Sequence, residues 1–151
     1  MRTYMVILDE SPEAEKALFF AARRAAKTGG GVRILAPIPP AEFVQWSGVQ
    51  ATMEEEARQR AEALAMGLAG TLMQESGIRP IITVKTGKPI PIIREILEED
   101  DSIAALVLGA AVGGSPGPLI AHFASAESGK MPCPIMIVPG SLSHEEIERL
   151  S

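Results

Sequence analysis

Apolar residues fall along the chain in two alternating kinds of block. Residues 4–8 form an unbroken apolar run, the pattern of a strand buried on both faces, and the apolar-rich segments 32–38, 81–86, 103–108 and 135–138 read as further short strands. Between them lie longer stretches with helical spacing. Ser11-Pro12-Glu13 offers a capping hydroxyl, a first-turn proline and an acid facing the helix dipole. Ala14, Ala17, Leu18, Ala21, Ala22 and Ala25 then hold one face until Gly29-Gly30-Gly31 stops the helix. A second helix is predicted from Met53 through Ala57, Ala61, Leu64, Leu68 and Leu72, ending at Gly77, with Glu54, Glu55, Arg58, Arg60 and Glu62 as a solvated face. Residues 90–97 form a short helix opened by Pro89 and Pro91, and residues 119–128 another; Ser143 to Glu146 reads as a capping box on a last turn or two. Two segments are loops: residues 39–50, which hold Phe43, Val44 and Trp46, and the glycine- and proline-rich residues 110–118.

Strands alternating with helices predict an α/β fold, a doubly wound parallel sheet with helices on both faces. Right-handed crossovers leave a few orders for five strands, among which 3-2-1-4-5 is common. In that order the winding reverses between the first and fourth strands, and ligands of open α/β sheets bind beyond the strand carboxyl ends at the reversal. Residues 9–11 and 109–123 are therefore the segments to watch. No repeat divides the 151 residues, and residues 1–151 are expected to form one domain.

Composition narrows the partners. A 46% hydrophobic content excludes a disordered chain, and a net charge of −5 argues against nucleic acid and anionic membrane surfaces. Aromatics at 4% leave little for base-stacking platforms. The lone Cys133 excludes an internal disulfide and fits a reducing compartment; with no apolar run long enough to span a membrane, a cytoplasmic location is expected. Walker, dinucleotide-type glycine and Cys-x-x-Cys motifs are missing, no serine sits on a nucleophile elbow, and His122 and His144 lack companions for a metal site. An enzyme would need a catalytic constellation that these residues do not supply. The methionines read as core filling.

At this point the sequence resembles the universal stress protein family along nearly its whole length. The resemblance is carried by the first strand ending in Asp9-Glu10-Ser11 before an alanine-rich helix, by Leu106-Val107-Leu108-Gly109 leading a glycine-rich loop, and by Cys133-Pro134-Ile135-Met136-Ile137-Val138-Pro139. In nucleotide-binding members that loop runs Gly-x-x-Gly, nine residues, then Gly-Ser or Gly-Thr, so that backbone N–H groups reach phosphate oxygens. Here Gly109 is in place, Gly113 or Gly114 fills the second position with a shift, and the Gly-Ser site falls on Ala121-His122. Pro116 and Pro118 have no N–H, and no lysine or arginine occurs from Asp100 to Gly129. These departures should weaken any triphosphate.

The resemblance implies a non-enzymatic stress-response or regulatory protein that binds a small ligand, an adenine nucleotide such as ATP being the leading candidate. Its site would be drawn from Asp9, Ser11 and Pro37, from Leu108, Gly109, Gly113 and Gly114, and from His122 and Phe123. Each has a plainer reading: Asp9 caps a helix, the glycines permit turns, His122 caps or packs at a helix start, and Phe123 is core. Cys133 reads as structural and His144 as solvated; Phe43 and Trp46 form either a lid, an interface patch or buried packing. The alternative function is an interaction module that binds no nucleotide and acts by homodimerisation, which the resemblance implies would run through the last strand at the sheet edge.

Overall fold

The computed structural model describes residues 1–40 and 47–151. Phe43, Val44 and Trp46 lie outside them. Five parallel strands, β1 (Thr3–Ile7), β2 (Gly31–Ile38), β3 (Ile81–Thr86), β4 (Ile103–Ala110) and β5 (Ile135–Pro139), form one sheet in the order β3-β2-β1-β4-β5. Helix α1 (Pro12–Thr28) begins at the expected cap, where the Ser11 hydroxyl accepts the Ala14 amide, and ends at Gly29 with φ 69°. Helices α1 and α2 (Ser47–Ser76) cover one face of the sheet; α3 (Pro89–Glu99) and α4 (Pro118–Phe123) cover the other.

Strand alternation sorts the core. Tyr4, Val6 and Leu8 turn towards α1 and α2, while Met5 and Ile7 turn towards α3 and α4. Leu18, Ile34 and Leu72 lie in the first cluster and Leu35, Ile93, Leu106 and Phe123 in the second, all almost fully buried. Burying each such side chain stabilises the fold by about 1.5–3 kcal/mol before the entropy of ordering it. Helix α5 (His144–Leu150) carries the predicted capping box, with Ser143 and Glu146 bonded reciprocally, and buries Ile147 against α1.

Several boundaries differ from expectation. α2 starts at Ser47, well before Met53. Its first described turns are exposed, so they carry no apolar period; they extend a helix nucleated by the packed half at little cost. α4 stops at Phe123 rather than near residue 128, because the Ser125 hydroxyl takes the Ala121 carbonyl and a short 3₁₀ turn follows at Ser128–Lys130. β4 continues through Gly109, which therefore belongs to a strand. The methionines are not all core: Met5 is buried, but Met1, Met53, Met66 and Met73 are exposed. His144 is exposed as expected, and its ring lies 5.2 Å from that of Phe19. No helix among the described residues is long and apolar enough to cross a membrane.

Candidate functional site

At the carboxyl ends of β1 and β4, where the winding reverses, the chain after β1 makes a tight turn. Glu10 adopts φ 68°, a conformation that costs a non-glycine residue about 1–2 kcal/mol. The turn is held by Asp9, whose Oδ1 accepts from the Ser11 hydroxyl at 2.6 Å and from the Ser11 amide at 3.2 Å. Ser11 in turn accepts the Ala14 amide at 3.2 Å, so the carboxylate is tied to the first turn of α1. Asp9 is exposed, and a cleft opens on each side of it.

The larger cleft, about 280 Å³, lies between the ends of β1 and β2 and the amino-terminal half of α2. Leu8, Ala36, Pro37, Ile38, Ala57, Ala61 and Leu64 give it apolar walls; Asp9, Glu10 and Arg60 stand among its polar lining. Since a cavity of about 150 Å³ can enclose benzene, this one has room for a fused heteroaromatic ring. Its width follows from side-chain size. α2 presents Ala57 and Ala61 here, where later turns present Leu68 and Leu72 to the core.

Pro37 fits its place in β2 for a reason that matters to the cleft. Pairing of β1 with β2 ends at Ile7 with Leu35, and the Leu35 carbonyl accepts the Leu8 amide at 2.8 Å. Ladder alternation turns the backbone of Pro37 to the same side, past the end of β1. The missing N–H falls opposite the Leu8 carbonyl, so pairing with β1 ends there, and the Pro37 carbonyl turns past the end of β1, where Pro37 lines the cleft.

The smaller cleft, about 70 Å³, runs between α1 and the segment after β4, lined by Asp9, Ser11, Glu13, Leu108, Gly109 and residues 116–120. It has room for water or one small group. Gly109 has a packing requirement: a Cβ there would stand 2.2 Å from the Glu13 carbonyl oxygen, because the first turn of α1 lies directly on β4. Gly113 and Gly114, at φ 76° and 64°, form the exposed tip of a loop closed by the Ala111 amide on the Pro116 carbonyl at 3.1 Å. A Cβ on either would touch nothing, and neither lines a cleft.

Asp9, Ser11, Leu108 and Gly109 thus come together at the smaller cleft, and Asp9 and Pro37 at the larger. His122 and Phe123 join neither. His122 Nε2 lies 3.5 Å from an Arg94 nitrogen, its ring edge-on to Phe123, while Phe123 is core beneath α3 and α4. Arg94 also bonds Glu127 and lies 5.9 Å over the Phe123 ring; this bond, ahead of the plain attraction of the same guanidinium, holds the Glu127 carboxyl below its ordinary range. This cluster joins α3 to the end of α4, on the face away from α1 and α2. Burial pushes the Cys133 thiol up against a smaller opposing pull from the Leu106 amide, which leaves it a poor nucleophile. No group of three metal-ligating side chains occurs among the described residues.

Sequence reading did not single out Ala36, Ala57, Ala61 and Arg60, which line the larger cleft. The available signal was the change along α2 from alanine to leucine on its apolar face.

Comparison with known proteins follows this geometry. Residues 1–139 match the model of the universal stress protein family. No curated protein sequence matches the chain. Among solved structures, the universal stress protein UspA from Lactobacillus plantarum is 17% identical, with a TM-score of 0.77 over 91% of this chain and 97% of that one. A universal stress protein from Archaeoglobus fulgidus in complex with dAMP is 18% identical, with a TM-score of 0.56 over 91% and 97%. A universal stress protein in complex with cAMP is 15% identical, with a TM-score of 0.57 over 93% and 98%.

Proposed function

We propose a function for a chain that belongs to the universal stress protein family: it is a cytoplasmic regulatory protein that binds an adenine nucleoside or nucleotide, without turnover, in the larger cleft beside Asp9. The observation that carries this reading is the pairing of apolar alanine and proline walls with the Pro37 carbonyl at the end of β2. A purine slides between such walls, and its exocyclic amine has a backbone acceptor to meet. Asp9, fixed by Ser11, stands at the junction of the clefts and accepts from a ribose hydroxyl. Binding orders the turn at Glu10 and the facing end of α2, and so shifts the population of surfaces offered to a partner. The dAMP and cAMP complexes of two structural neighbours are consistent with this ligand class.

The second reading, homodimerisation through β5, is favoured by one observation. Phe20, Met136, Ile137, Val138, Pro139, Leu142 and Leu150 line an apolar groove at that sheet edge, with Ile137 and Leu150 about half exposed. The two readings are compatible.

A thermal-shift titration with adenosine tests the first. A ligand selective for the native state at a hundred times its Kd adds about 2.7 kcal/mol of stability, so Tm should climb with adenosine concentration. A Tm indifferent to millimolar adenosine and AMP, in a protein that sediments as a dimer, would leave the interaction module as the function.

A further inference from the structure

Charge around the two clefts is unevenly distributed. Among the described residues, Asp9 and Glu13 face the smaller cleft with no cation in its lining, and Pro116 and Pro118 bring no N–H to it. The larger cleft has, among the described residues, a single cation in its lining, Arg60. Two residues earlier on α2, Arg58 donates to the Val84 carbonyl at 3.3 Å and to the Thr86 hydroxyl at 3.1 Å. Arg60 is not engaged in that way. Its Nε stands 3.7 Å from Glu10 Oε1, beyond hydrogen-bond reach, and the two side chains are 63% and 59% exposed. An exposed pair of this kind contributes little to stability and is readily exchanged.

We propose that Arg60 is the anion-recognition residue of this protein, and that the anion is a single phosphate of a nucleoside monophosphate or cyclic monophosphate. This deepens the reading above and rests on it. The guanidinium offers a planar fork that fits two phosphate oxygens, a stronger arrangement than its loose contact with Glu10. One cation matches one phosphate group. A second and third would extend towards Asp9, Glu10 and Glu13, where like charge repels them. The phosphate therefore sits against α2, on the opposite side of Asp9 from the glycine-rich loop. Glu10 competes with it for Arg60, so removing either charge has opposite effects.

Titration calorimetry of wild type, Arg60→Gln and Glu10→Gln with AMP, adenosine and ATP tests this. Both side chains are exposed, so the folds should be retained, which circular dichroism checks. Arg60→Gln should weaken AMP about tenfold, the equivalent of about 1.4 kcal/mol, and leave adenosine within about twofold. Glu10→Gln should tighten AMP about threefold with adenosine unchanged. Wild type should prefer AMP to ATP. Unaltered AMP affinity in Arg60→Gln, or tighter binding of ATP than AMP by wild type, would overturn the role of Arg60 while leaving a nucleoside site standing. Loss of adenosine and AMP binding together in wild type would instead remove the site itself and this proposal with it.

Discussion

The two clefts that meet at Asp9 are built from small residues used for opposite ends. Beside β4, small means close contact: Gly109 lets the backbone of α1 lie against the strand, and the cleft left over is about 70 Å³. Beside β2, small means distance left unfilled: Ala36, Ala57 and Ala61 leave about 280 Å³ between helix and sheet. A glycine-rich segment thus looks like a phosphate cradle by composition while its first glycine serves packing. An alanine-bearing helix looks like ordinary core while it opens room for a ligand. Only the surrounding geometry separates these roles.

Two substitutions sharpen the contrast. The larger effect should come from Gly109→Ala, whose Cβ would meet the Glu13 carbonyl at 2.2 Å. Relief requires α1 to move off β4, at a cost of about 3 kcal/mol. Chemical denaturation should show it as a lower midpoint; a variant as stable as wild type would mean that Gly109 has no packing duty. The smaller effect should come from Ala57→Phe, which is half-buried in the wall of the larger cleft and can place its ring there. Adenosine affinity should fall at least about tenfold, with Tm unchanged or raised. Full adenosine binding by that variant would move the ligand elsewhere.

Much of the fold was legible because its signals are local. The apolar runs, the Ser11 cap and the Ser143–Glu146 box each recur in the structure, and the observed β3-β2-β1-β4-β5 order is one of the few that alternating strands and helices allow. The first turns of α2 were not legible, since an exposed helical extension carries no apolar period. The end of α4 was missed because a serine hydroxyl outcompeted the helix at Ala121. Asp9 was readable as a site candidate from its place at the winding reversal, and Pro37 only through the family resemblance. His122 was singled out by counting along a motif, yet its ring faces Arg94, because the six-residue α4 sets its direction. Arg60 read as one more solvated charge on α2. What distinguishes it from Arg58 is a partner in space, which spacing along the chain does not encode.

The most direct test of the account is backbone amide chemical-shift mapping of the whole chain titrated with adenosine. Shifts should concentrate in residues 8–11, at Ala36 and Ile38, and along residues 57–64, with residues 111–117 little changed. Shifts confined to residues 109–118 would put the ligand on the glycine-rich loop and contradict the division of roles between the two clefts.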